Sequence, residues 1–88
     1  MDRQSMSLRK RVAGHMVEIH NIFTGIRESF TVTASERDCS GYIVLKGEKD
    51  SQRIYVPSSA VQPLIDNGFC SFIRQNDTTC LEYHIRIY

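Results

Sequence analysis

The stretch that is most informative about the fold is residues 29–69, SFTVTASERDCSGYIVLKGEKDSQRIYVPSSAVQPLIDNGF. From Phe30 apolar and polar residues alternate with a period of two, the pattern of a half-buried antiparallel strand. GYIVLKGE, residues 41–48, is apolar on both faces, as in a strand near the middle of a sheet. QRIYVP, residues 52–57, is a third strand, and it ends at Pro57 because proline cannot donate to a strand ladder. The pattern predicts three strands in succession.

A short helix follows the third strand directly. Val61, Leu64 and Ile65 recur at helical spacing, and Ser58 or Ser59 is the expected N-cap. Pro63 falls in the first turn, where its missing N–H costs little. We expect the helix to end at Asn67-Gly68, since glycine readily takes the left-handed conformation that ends helices.

The segment before the quoted stretch favours a helix over residues 6–24. Val12, Met16, Ile19 and Phe23 recur every three to four residues, and Ser7 is a plausible N-cap. Thr24-Gly25 is the expected stop. The alternative is a shorter helix with VEIHNIF, residues 17–23, extended as a strand.

The segment after the quoted stretch predicts a final hairpin, CSFIRQ (70–75) and CLEYHIRIY (80–88), joined around residues 76–79. A loop of two or four residues pairs Phe72 with Tyr83 and Cys70 with Ile85, which places the apolar residues of both strands on one face. In that register a Cys70–Cys80 disulfide is disfavoured.

The expected fold class is therefore α+β, with an antiparallel sheet of about five strands. An N-terminal helix and a short helix between strands three and four are expected to pack on one face of it. The length of 88 residues allows one domain, 1–88, in which residues 1–8 need not be ordered.

The composition restricts the setting of the protein. The three cysteines, Cys39, Cys70 and Cys80, form no CxxC pair, which argues against a disulfide framework and a zinc site. No apolar run has the length of a membrane span or a signal peptide. We expect a soluble, intracellular protein of the cytoplasm or nucleus, with no membrane partner.

No catalytic or metal motif is present in the sequence. His15, Glu18 and His20 lack the HExxH spacing of zinc enzymes, and no glycine-rich phosphate loop occurs. No spacing arranges a nucleophile beside a base. We therefore expect a non-enzymatic protein without a cofactor, and name no catalytic and no metal residues.

Basic and aromatic residues are the better candidates for a site. The net charge is +1, yet residues 1–11 hold four basic residues, including Arg9, Lys10 and Arg11, against one acid. The predicted exposed sheet face combines cations with planar rings, which suit phosphates and stacked bases; its members are Arg53, Tyr55, Arg74, His84, Arg86 and Tyr88. The same residues also suit an association interface or an ordinary solvated surface.

GYIVLKGE, a short charged turn and QRIYVPSSAVQPLIDNGF together resemble the middle strands and helix start of the PUR repeat. They are less closely similar to the single-stranded-DNA-binding coactivator domain called positive cofactor four. The resemblance implies a curved antiparallel sheet, single-stranded nucleic acid bound on that sheet, and dimerisation. By position it implies that Tyr42, Lys46, Arg53 and Tyr55 are contacts.

The sequence thus favours a small binding module that contacts single-stranded DNA or RNA through a sheet face and the basic N-terminal segment, as a homodimer. The alternative is a protein-interaction or self-assembly module without nucleic-acid binding, which uses a sheet edge and a helix. The last strand, if it lies at an edge, would offer unpaired backbone groups to a second copy.

Overall fold

A computed structural model describes residues 3–38, 40–75 and 80–88. These residues form two helices and seven antiparallel strands, which confirms the α+β class. The elements in chain order are α1 (Arg3–Val12), β1 (Met16–Asn21), β2 (Arg27–Thr31), β3 (Ala34–Arg37), β4 (Tyr42–Lys46), β5 (Arg53–Pro57), α2 (Ser58–Asn67), β6 (Phe69–Gln75) and β7 (Cys80–Ile87). The predicted loop around residues 76–79 lies outside the described residues.

The strands form two sheets, so the expectation of one sheet of about five strands is wrong. One sheet has the order β2-β1-β7-β6 and the other β3-β4-β5. The segment SFTVTAS is divided between them: the Val32 N–H donates to the His15 carbonyl at 3.0 Å, whereas the Thr33 N–H donates to the Lys46 carbonyl at 2.8 Å. The chain turns a corner between these two residues, and alternation alone does not reveal such a bend.

The predicted helix over residues 6–24 is also wrong, and the alternative of a shorter helix followed by a strand is confirmed. Helix α1 ends at Val12, Gly14 has φ 78°, and β1 begins at Met16. Val17 and Ile19 point into the core, whereas Phe23, expected in the apolar stripe, is 78% exposed. Residues 3–8 are part of α1, which buries Leu8 completely.

Strands β4 and β5 and helix α2 lie where the sequence places them, but Pro63 is the sixth residue of α2 and lies inside the helix, not in its first turn as expected. Strand β4 is the centre of its sheet, with Ile43, Val44 and Leu45 all buried. Gly68 ends α2 in the left-handed conformation at φ 69°. The expected serine N-cap is wrong, because Pro57 is the cap residue and no side chain caps the helix. Instead, the Ser58 hydroxyl donates to the Gly41 carbonyl.

The final hairpin has the predicted register, with Phe72 opposite Tyr83 and Cys70 opposite Ile85. Cys70 and Cys80 are free thiols, as expected. Strand β7 also pairs with β1, with Ile85 opposite Ile19. The last strand is therefore internal to its sheet, so the condition under which it would offer an edge to a second copy is not met.

One core lies between the inner faces of the two sheets and both helices. Its fully buried members include Leu8 and Val12 of α1, Val61 and Leu64 of α2, and Leu45, Val56 and Ile85 of the strands. Helix α2 contacts β4, β5 and β6, and α1 contacts α2 and β3. The helices thus bridge the two sheets, in place of the expected packing on one face of one sheet. No helix among the described residues is long and apolar enough to cross a membrane.

Candidate nucleic-acid interface

The outer face of the three-stranded sheet carries two tyrosines side by side. Ile43, Leu45, Ile54 and Val56 point into the core, so the alternate residues of β4 and β5 point outward. Tyr42 and Tyr55 are half-buried, with ring centroids 6.5 Å apart and ring planes at 88°. We call this surface, defined by Tyr42, Tyr55, Lys46 and Arg53, the tyrosine face.

An arginine from the other sheet reaches the tyrosine face. The guanidinium carbon of Arg74, on β6, lies 5.1 Å from the Tyr55 ring centroid and 5.8 Å from that of Tyr42. Both distances are within the range of a cation–π interaction. The three side chains therefore form one cluster, in which planar groups and a fixed positive charge are held together.

Asp38 organises the turn that presents Tyr42. One carboxylate oxygen accepts hydrogen bonds from the Ser40 N–H at 2.9 Å, the Ser40 hydroxyl at 2.9 Å and the Tyr42 N–H at 3.0 Å. Desolvation would raise the pKa of Asp38, but these hydrogen bonds outweigh it and lower the pKa below its usual value. The Oδ1 atom of Asp38 is therefore occupied by hydrogen bonds within the turn.

The tyrosine face has a positive rim. Lys46 donates to Glu36 at 2.8 Å, and this hydrogen bond with the Lys46 charge lowers the pKa of Glu36. Arg53, opposite Lys46 in the register, and Arg9 of α1 also act on the Glu36 charge. Among the strand positions of this face, Glu36 is the one acid. The cations outnumber it even after the Lys46–Glu36 pair is discounted.

The basic run of the N-terminal helix is divided by the fold. Arg9 lies beside Ala34 and Ser35 at the start of β3, on the side of the tyrosine face. Lys10, about 100° further around the helix, lies on an exposed surface with Arg3 and Met6. Arg11 points to the end of α2, where its Nε donates to the Ile65 carbonyl at 3.3 Å. The three residues do not form one basic patch.

The remaining predicted residues, His84, Arg86 and Tyr88, lie on the outer face of the four-stranded sheet, which we call the histidine face. His20, which was not predicted, lies there opposite His84. Arg86 lies over the Phe69 ring at 5.2 Å, and Phe69 contacts His84 edge-on at 5.6 Å. The His15 ring nitrogen Nδ1 lies 2.8 Å from the Tyr88 carbonyl oxygen.

Acids lie beside the arginines and His84 on the histidine face. Arg27 lies 3.5 Å from Glu18, and His84 lies 2.8 Å from Glu82. Glu18 is also directly opposite Arg86 across the β1–β7 pair. This surface is therefore less suited to a polyanion than the tyrosine face.

The predicted site residues thus lie on two different sheet faces and on different sides of helix α1. The structure brings together Tyr42, Lys46, Arg53, Tyr55 and Arg74, and places His84, Arg86 and Tyr88 elsewhere. Sequence reasoning missed the contact between Arg74 and the tyrosines, because these residues belong to different sheets. It also missed Phe69 under Arg86, although the predicted register of the last hairpin, extended by one pair, places these two residues opposite each other.

Within residues 3–38, 40–75 and 80–88, no group of three or more histidine, cysteine or acidic residues is arranged to hold a metal ion. Comparison with known proteins finds no matching family model, no matching curated protein and no matching solved structure. The functional proposal therefore rests on the residues of this chain and their arrangement.

Proposed function

We propose that the protein is a small binding module for single-stranded nucleic acid, and that the tyrosine face is its contact surface. The observation that carries the proposal is the placement of the Arg74 guanidinium over both tyrosine rings. Bases stack on tyrosine rings and on guanidinium planes, and this stacking does not require a particular sequence. The two tyrosine rings come from the three-stranded sheet and the guanidinium of Arg74 comes from the four-stranded sheet, so the three planar groups have fixed relative positions.

The charge distribution supports the same surface. Lys46 and Arg53 lie opposite each other at one end of the β4–β5 pair, and Glu36, the one acid at the strand positions of this face, is paired with Lys46 and also feels the charges of Arg53 and Arg9. Arg53, Arg9 and Arg74 remain positive after the Lys46–Glu36 pair is discounted, and the exposed turn between β4 and β5 adds Glu48 and Asp50 against Lys49. The proposal leaves His84, Arg86 and Tyr88 out of the predicted nucleic-acid contacts, because they lie on the histidine face, where acids accompany the cations.

Binding of a mixed-sequence single-stranded oligonucleotide, measured by fluorescence anisotropy over a salt series, tests the proposal. With three phosphate contacts, the affinity falls roughly twentyfold between about 50 and 200 mM salt, because about 0.7 counterions are released per contact. Absence of a measurable anisotropy change at low salt would refute nucleic-acid binding.

A pair of tyrosine variants locates the binding surface. Tyr55→Leu keeps apolar bulk but removes a stacking ring, so we expect binding to weaken roughly tenfold, within the range of about 1–3 kcal/mol per stacked base. Tyr88→Leu is the matched control, since Tyr88 is exposed on the histidine face. Equal losses in both variants would exclude the tyrosine face as the specific contact.

A further inference from the structure

Strand β6 is an unprotected edge of the four-stranded sheet. In the described part of the chain it pairs with β7 alone. Exposed edges with free N–H and C=O groups are normally shielded by charge, proline or short length. The other three edge strands have such shields: β2 has Arg27 and Glu28, β3 is four residues long, and β5 has Arg53 and Pro57. Strand β6 has seven residues, and its single charge, Arg74, is directed to the tyrosine rings.

Apolar side chains accompany this edge. Ile73 of β6 is 66% exposed, and Phe23, at the turn after β1, is 78% exposed. Ile73 lies between two shallow depressions of about 400 Å³ each, one shared with Pro57 and Ser59 and the other with Ile22 and Phe23. The space beside Ser71, Phe72 and Ile73 is therefore open to an incoming strand.

We propose that β6 pairs with β6 of a second copy of this chain, antiparallel and with Ile73 on the two-fold axis, to form one continuous eight-stranded sheet. This inference does not depend on nucleic-acid binding.

Charge and symmetry favour a second copy as the occupant. The described residues that line the two depressions include the acid Glu82 but no cation, which disfavours a phosphate backbone. A two-fold axis at Ile73 covers each exposed isoleucine with the other, and the two Arg74 side chains remain on the opposite face of the strand. An isologous contact also closes at two copies. The charged edge β2 at the other end of the sheet then opposes further growth.

Size exclusion with light scattering, at micromolar protein, tests the proposal through two matched variants. We expect a dimer for the wild type, a monomer for Ile73→Lys, and a dimer for Ile26→Lys, which puts the same charge at an isoleucine that is 58% exposed outside β6. Circular dichroism verifies that both variants are folded. A wild-type monomer, or a dimer that survives Ile73→Lys, would overturn the proposal.

Cross-linking tests the register directly. Directly opposite residues of antiparallel strands have Cβ atoms about 4.5–5.5 Å apart, so Ile73→Cys, in a background that carries both Cys39→Ser and Cys80→Ser, should form an intermolecular disulfide after a small adjustment of the backbone. Ile26→Cys in the same background should not. If oxidation gives equal amounts of cross-linked dimer in the two variants, Ile73 is not at the axis.

Discussion

Arg11 stabilises the fold at the residue scale, although the sequence suggested a contact for phosphate. Its Nε donates to the Ile65 carbonyl, near the negative end of the α2 dipole. We expect Arg11→Ala to lower the free energy of unfolding by about 1–2 kcal/mol, through loss of this charged hydrogen bond. Lys10→Ala, at an exposed neighbour, should change it little. Urea denaturation of both variants checks this, and equal effects would contradict the structural role.

The cysteines differ in environment at the same scale. Burial raises the pKa of the Cys70 thiol to about 12, whereas Cys80 is exposed. Because the thiolate is the reactive form, alkylation of the native protein at mildly alkaline pH should modify Cys80 and leave Cys70 intact. Peptide mass spectrometry measures both sites. Rapid labelling of Cys70 without denaturant would show that this part of the core opens readily.

At the scale of elements, Gly68 joins α2 to β6 and is closely packed. Its φ is +69°, and an added Cβ would lie 2.8 Å from an Arg11 guanidinium nitrogen. We expect Gly68→Ala to cost about 1–2 kcal/mol from the left-handed backbone, together with the displaced Arg11 contact.

Gly14→Ala is the control for the backbone contribution, because Gly14 has φ +78° and nothing lies within 4 Å of its added Cβ. Thermal or urea unfolding should show the larger loss for Gly68→Ala. The difference between the two losses of unfolding free energy should shrink in an Arg11→Ala background, because the side chain that the added Cβ displaces is then absent. A difference unchanged by Arg11→Ala would exclude the clash as its cause.

The elements also show what the sequence can and cannot predict. Strand β4 follows from its continuous apolar run, the end of β5 from Pro57, and the β6–β7 register from alternation across a short loop, because each signal is local. The corner at Val32 and Thr33 does not, since alternation continues through it while the hydrogen-bond partner changes from His15 to Lys46. The stripe through Met16 and Phe23 fits a helix by spacing, yet Gly14 ends α1 and permits β1.

At the scale of the whole molecule, two sheets share one core and present two outer faces of different character. The tyrosine face is cationic and aromatic, whereas the histidine face balances its cations with Glu18 and Glu82. The candidate site is only partly predictable from the sequence, because its residues come from both sheets. Tyr42 and Tyr55 are close because β4 and β5 are sequential, but Arg74 joins them only through the arrangement of the two sheets.

The two faces provide an internal comparison for the proposed function. Arg74 lies over the Tyr55 ring at 5.1 Å, and Arg86 lies over the Phe69 ring at 5.2 Å. Each arginine has an aromatic ring at nearly the same distance and carries the same charge, but Arg74 reaches a second ring, Tyr42, and lies on the proposed binding surface, whereas Arg86 does not. Replacing each by glutamine removes the same charge from each surface.

The most direct measurement is the affinity of Arg74→Gln and Arg86→Gln for one single-stranded oligonucleotide, by anisotropy at fixed low salt. We expect Arg74→Gln to weaken binding roughly tenfold and to lower the salt dependence by about one phosphate contact, whereas Arg86→Gln should bind like the wild type. A loss of affinity in Arg86→Gln as large as that in Arg74→Gln, or larger, would contradict the assignment of binding to the tyrosine face.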